Sequence, residues 1–237
     1  MKIIALKAFA ISAIIGCISP TAAHGPRSKA ENIIAASKVA TGGKLWDAAQ
    51  GCHETGTHGD RAYTTRFSLL RYGMRVDSDQ GGNILSMGFD GKARWRASGG
   101  KTDVRTDAGS LQEAILTNYL SINGFYFPTR FPATFKYLRE ATKAGRKFDV
   151  LEITPEGSRS IEVWFDRRSR LIARVVDRNG QPPVTVEASN YRRVDGLTIA
   201  YSLIVRGSDG KIADRGALNS FNCGPIDHKI FNPPIAR

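Results

Sequence analysis

From residue 135 onward the chain is a succession of period-two segments cut by turn residues, and this constrains the fold more than any other feature. Residues 135–141 and 146–154 flank a turn at 143–145, and Gly157 separates the latter segment from 160–165. Residues 170–177, 184–191, 197–206 and 211–221 follow, each divided from the next by Gly, Asp, Asn or Pro. In 197–206 the residues Leu197, Ile199, Tyr201, Leu203 and Val205 are apolar, and those between them are mostly polar. Successive side chains of a strand point to opposite faces, so this alternation predicts a sheet with one face covered. Connections this short join strands only in the antiparallel sense.

The first half carries weaker strand signals and two helices. Residues 61–71 alternate through Tyr63, Thr65, Phe67 and Leu69, while Gly81-Gly82 and Asp90-Gly91 read as turns beside short strands at 84–89 and 92–96. Ile33, Ile34, Ser37, Val39 and Ala40 recur at helical spacing, with Ser28 as cap and Gly42-Gly43 as stop; Leu45 and Trp46 then lead into strand-like sequence. A second helix is expected over 110–120, capped by Ser110 with Glu113 three residues on. After it, Phe125, Tyr126, Phe127 and Phe131 stand among Pro128 and Pro132 in an aromatic loop. Seven or more strands with two helices exclude a doubly wound fold. The expected class is mainly β (α+β): a strongly curved antiparallel sheet with helices on one side.

The N-terminus predicts export. Lys2 and Lys7 give a positive start, residues 8–18 are apolar or small, and Thr21-Ala22-Ala23 after Pro20 suits a signal peptidase. The run is shorter than the roughly 20 residues of a membrane-spanning helix. Residues 1–23 are read as a cleaved signal peptide and 24–237 as one periplasmic domain. An alternative is lipid anchoring at Cys17, because Ile14-Ile15-Gly16-Cys17 is similar to a lipobox; the proximity of Lys7 and the well-formed site downstream favour cleavage after Ala23. Cleavage lowers the formal charge from +12 to +10 through loss of Lys2 and Lys7. A surface this basic outside the cytoplasm suits anionic headgroups or acidic polymers, or serves solubility alone, and export argues against nucleic acid. Two cysteines remain, Cys52 and Cys223, an even count for an oxidising compartment, and a disulfide between them is expected to tie the first strand to the last. The alternative, a metal site at Cys52, His53 and His58, lacks a further ligand at suitable spacing, so no metal and no cofactor is expected.

Catalytic signatures reduce to near misses. His53-Glu54 with His58 has one residue too many for a zincin helix, and in a strand positions i and i+5 face opposite ways. Gly99-Gly100-Lys101-Thr102 echoes a phosphate loop, but Trp95 holds the required upstream glycine position. No Gly-x-Ser-x-Gly elbow occurs. The expectation is a protein that is not an enzyme.

Several segments resemble a known family in order and spacing. Gly88-Phe89-Asp90-Gly91 followed by Trp95 is similar to the Asp-Gly…Trp hairpin of LolA-like outer-membrane lipoprotein-sorting proteins. Asp149-Val150-Leu151-Glu152-Ile153, Val163-Trp164-Phe165-Asp166 and Leu171-Ile172-Ala173-Arg174 resemble their following strands. Asn190-Tyr191-Arg192-Arg193-Val194-Asp195-Gly196-Leu197 resembles their Tyr-x-x-Val-Asp-Gly segment. Ala200 stands where the family commonly has Pro, and residues 46–79 match poorly, so no lipoprotein-binding residues are carried over. The resemblance implies an open half-barrel whose concave side is covered by helices and holds acyl chains. On that reading Trp95, Tyr119, Phe125, Phe127, Phe131 and Trp164 line the hollow; the alternative makes them core. Arg130, Arg139 and Arg192 are candidates to meet headgroups at its rim. The partners implied are a lipid, an acyl chain or a lipoprotein. An envelope protein held by the same sheet without a ligand is the second reading.

Overall fold

The computed structural model describes residues 26–234. The expected signal peptide at 1–23 and the alternative anchor Cys17 lie outside the described residues. Two short helices come first among the described residues, α1 (Lys29–Thr41) and α2 (Lys44–Ala48). Ser28 caps α1 as expected, and its capping box is complete: the Ser28 hydroxyl accepts from the Glu31 amide and the Glu31 carboxylate accepts from the Ser28 amide. The buried face of α1 is Ala30, Ile33, Ile34, Ser37 and Thr41, whereas Val39 points to solvent at 74% exposure. Trp46 does not lead into a strand. It lies in α2, fully buried, and its indole N–H donates to the Thr41 hydroxyl at 3.1 Å.

Six antiparallel strands follow: β1 (Gly51–His58), β2 (Arg61–Ser68), β3 (Met74–Asp79), β4 (Ile84–Phe89), β5 (Arg94–Ser98) and β6 (Lys101–Arg105). The glycine pair once resembling a phosphate loop is the β5–β6 turn, with Gly99 and Gly100 both at positive φ. Helix α3 (Ala108–Ser121) begins earlier than expected. Asp107, not Ser110, is its cap, because the Asp107 carboxylate accepts from the Ser110 amide in the first turn. A 3-10 turn at Gly124–Tyr126 carries the aromatic segment. Seven more strands complete the chain: β7 (Ala133–Lys143), β8 (Arg146–Pro155), β9 (Ile161–Asp166), β10 (Ile172–Asp177), β11 (Val184–Val194), β12 (Leu197–Gly207) and β13 (Ile212–Gly224).

All thirteen strands form one sheet in the order β6-β5-β4-β3-β2-β1-β13-β12-β11-β10-β9-β8-β7. Each half is a meander, and β1–β13 is the ladder that joins them. Strands β6 and β7 are the two edges, so the sheet is open. Its curvature follows from α3, which touches both β5 and β8. Those strands stand ten ladders apart, about 48 Å on a flat sheet at 4.8 Å per ladder. A helix of 14 residues is about 21 Å long and 10–12 Å across. The sheet must therefore wrap round the helix, which gives the expected mainly β half-barrel with helices on its concave side.

The expected disulfide is present. Cys52 and Cys223 are direct cross-strand partners in the β1–β13 ladder, with Cα atoms 4.0 Å apart.

Candidate functional site

Register decides which side chains face the concave side. Cys52, Phe67, Met74 and Phe89 form one cross-strand row, and the first three belong to the main apolar core. The adjacent row, pointing the other way, is His53, Arg66, Arg75, Gly88 and Trp95. Trp95 is therefore buried on the convex side. Its ring lies over Gly88, where an added Cβ would stand 2.3 Å from the indole, and its N–H donates to the Phe231 carbonyl at 2.7 Å. Trp164 is also convex, because Val163 and Phe165 on either side of it enter the core. It is half-buried between the guanidiniums of Arg139 and Arg174, 5.7 and 5.3 Å from its ring.

The other four aromatic candidates are on the concave side. Tyr119, Phe127 and Phe131 are packed in the core, at 0, 3 and 0% exposure. Phe125 is equally buried, yet one side of it borders a cavity of about 300 Å3. That volume lies at the lower end of the range for small-molecule sites. Thr41, Trp46, Leu120 and Tyr126 form its wall on the helical side, and Ile172, Val175, Val186, Ala188, Ile199 and Leu203 form its sheet side on β10, β11 and β12. The hollow is thus partly filled by the protein's own aromatic side chains and open beneath the third quarter of the sheet. Of the rim arginines, Arg130 donates to the Leu69 carbonyl, Arg139 pairs with Glu162, and Arg192 stacks over Tyr201.

Among the polar groups of the lining, two phenols and a carboxyl matter most. Tyr126 shares a hydrogen bond with the Ser37 hydroxyl at 2.8 Å, and Tyr191 donates to the Ile172 carbonyl at 2.5 Å. Burial pushes both phenols up, so they are neutral at any physiological pH. The third is Glu54, on the concave row of β1. It keeps some contact with the open volume but is deeply set in protein, and this desolvation pushes its carboxyl up to about 7 against a hydrogen bond from Thr65. Sequence reading met Glu54 only within the His53…His58 spacing. The structure separates that trio as strand geometry requires: His53 is convex, and His58 is concave with Nδ1 2.8 Å from an Asp214 oxygen. Among the described residues no group of three or more His, Cys, Asp or Glu comes together to hold a metal.

A larger cleft, about 600 Å3, opens on the convex side among Lys143, Arg174, Arg178 and Arg206. Its cations are engaged, since Glu187 receives Lys143, Arg174 and Arg206, and Arg178 pairs with Glu162. Burial opposes the Glu187 charge, but the guanidiniums of Arg174 and Arg206 outweigh it and hold the carboxyl below its usual range. The smaller cavity is the better ligand site because its walls are mainly apolar and unengaged.

Comparison with protein-family models and with curated proteins gives no match. Comparison with solved structures does. A Vibrio parahaemolyticus domain described as outer membrane lipoprotein-sorting superposes with a TM-score of 0.58 at 15% identity, over 86% of this chain and 96% of that one. A LolA superfamily protein from Nitrosomonas europaea gives 0.53 at 11% identity, over 81% and 97%. The fold is LolA-like. A DUF1329 family protein from Desulfovibrio piger shares it, with a TM-score of 0.56 at 12% identity over 86% and 95%. The segments that resemble LolA-like proteins are strands of this scaffold and the turns between them. Asp90 accepts from the Lys92 and Ala93 amides, Asp166 from those of Arg168 and Ser169, and Asp195 and Gly196 both take positive φ between β11 and β12.

Proposed function

We propose that the protein is a periplasmic binding or carrier protein for a lipid, a lipoprotein or another amphiphile, acting without covalent chemistry. The observation that carries this reading is the mainly apolar 300 Å3 cavity between the helical layer and β10–β12 of a LolA-like half-barrel. Apolar surface removed from water is worth roughly 25 cal/mol per Å2, so hydrocarbon entering such a space gains without any directional bond. A cleaved signal peptide over 1–23 supports export, and the Cys52–Cys223 disulfide fits an oxidising compartment. No helix among the described residues is long and apolar enough to cross a membrane. After cleavage the net charge of +10 suits approach to anionic headgroups.

The second reading, an envelope protein-interaction module, is favoured by one observation: Tyr119, Phe127 and Phe131 fill much of the concave space themselves. The sheet edges oppose it. Edge strand β6 has five residues, among them Lys101, Asp103 and Arg105, and edge strand β7 carries Lys136, Arg139, Glu140 and Lys143. Charged edges of this kind discourage strand addition.

Mass spectrometry of protein purified gently from the cell envelope tests the two readings. Stoichiometric recovery of a lipid or lipoprotein acyl chain is expected. Bare protein that also fails to take up added fatty acids, fatty amines and alcohols would end the carrier reading.

A further inference from the structure

The apolar walls of the cavity do not account for Glu54, which is the only acidic or basic side chain among the residues that line it. Its cross-strand partner Thr65 supplies one hydrogen bond. Among the described residues no cationic side chain lines the space to neutralise it. Tyr63 on β2 interacts with it electrostatically, and the other polar residues of the lining are uncharged: Tyr126, Tyr191, Thr41, Ser121, Asn123 and Thr198. Tyr126 and Tyr191 are already bonded to Ser37 and to the Ile172 carbonyl. His58, further along the same face of β1, is engaged with Asp214. A carboxyl set among apolar walls with a single protein partner is unfavourable unless something else donates to it.

We propose that Glu54 is the polar recognition point of the hollow, which takes an amphiphile bearing a protonated amine or another cationic head, with its hydrocarbon part along Val175, Val186 and Leu203. This rests on the amphiphile-binding reading above and narrows it to a ligand class. An ammonium brings three donors and a full charge, and charge-assisted bonds in a water-poor site are about twice as strong as neutral ones. A carboxylate or phosphate head at the same place meets repulsion from Glu54 and finds no cation inside the cavity. The basic exterior acts the other way by attracting anions from a distance. At 0.15 M salt that field is screened within about 8 Å, and a Glu54 variant leaves it almost unchanged.

The test is calorimetric titration of octylamine, 1-octanol and octanoate into wild type and into Glu54→Gln at pH 8 and 0.15 M salt. The chain length suits the cavity, and these ligands stay monomeric at working concentrations. Wild type is expected to bind octylamine roughly tenfold or more tighter than octanol, and octanoate most weakly. In Glu54→Gln the preference for the amine over the alcohol should disappear. Equal affinities in wild type, or a preference that survives in Glu54→Gln, overturn the assignment while leaving the hollow as a hydrocarbon site. Failure of all three ligands to bind wild type overturns the hollow reading itself. Should the variant not fold, the 13C resonance of the Glu54 carboxyl in labelled wild type decides: it must move when octylamine is added, and a resonance that stays still sinks the proposal.

Discussion

Folding moves the Glu54 carboxyl from water into a cavity whose other walls are mainly apolar, and its affinity for protons rises from the ordinary 4.5 to about 7. Below 4.5 the group is neutral in both states and imposes no penalty. Between 4.5 and 7 the unfolded chain has released the proton and the folded chain still holds it, so stability falls as pH rises through that window and levels off above it. The loss is on the order of 3 kcal/mol at most, and smaller to the extent that water enters the cavity. Glu54→Gln removes the titration. Urea denaturation at pH 4.5 and pH 8 should show the variant gaining about 1–3 kcal/mol on wild type between the two. A difference that does not change with pH would contradict this account. The sequence made part of this readable, because strand periodicity alone separates His53 from Glu54 and His58. It did not reveal that the Glu54 side chain enters a cavity, since the opposite wall comes from residues 172–203, more than a hundred positions away.

Strands whose turns carry their own chemistry were legible element by element. Asp90-Gly91 marks β4–β5 and Asp195-Gly196 marks β11–β12, because a carboxylate accepting from following amides or a pair of positive φ values is a local event. Strand β3 was not seen. Arg75, Asp77 and Asp79 hide its alternation, and the reason they are tolerated is not local: on the convex face Arg66 and Arg75 pair with Asp77, which also accepts from the Ser86 hydroxyl on β4. The placement of α3 inside the half-barrel was likewise beyond a reading of its own sequence, since it depends on a clamp from later in the chain. Arg159, in the β8–β9 connection, holds Glu113 of α3 at 2.7 Å and Asp177 of β10 at 2.5 Å, and both Arg159 and Asp177 are largely buried. Replacing Arg159 by Ala strands the Asp177 carboxylate and frees the start of the helix. A loss of about 3 kcal/mol is expected, read as a lower urea midpoint with an unchanged slope. The double variant with Asp177→Ala should recover part of it. Full additivity of the two changes would show that the pair is not coupled.

At the scale of the whole molecule, two meanders that run in opposite directions from the middle of the sheet are joined by a single ladder, β1 on β13. The half-barrel was expected from the resemblance to LolA-like proteins and from the number of strands, whereas the meeting of the first strand with the last was signalled in the sequence only by Cys52 and Cys223. The bond lies across that seam, its ends 171 positions apart in the sequence, so its loss enlarges the unfolded ensemble by nearly the whole domain. Cys52→Ser with Cys223→Ser is expected to cost about 2–5 kcal/mol. The place where the cost shows matters more than its size. The cavity depends on both halves, because Glu54 comes from β1 and its apolar sheet wall from β10–β12. A seam that opens more readily exposes β1 and β13 to hydrogen exchange first and relaxes the hollow with them, while the hairpins β4–β5 and β8–β9, each closed by its own turn and strand contacts, keep their protection. Hydrogen exchange on the double variant tests this at once. Loss of protection concentrated in residues 51–58 and 212–224 agrees with a seam that sets the shape of the hollow, and uniform loss across all thirteen strands would mean that the sheet yields as one body and the disulfide guards no particular joint.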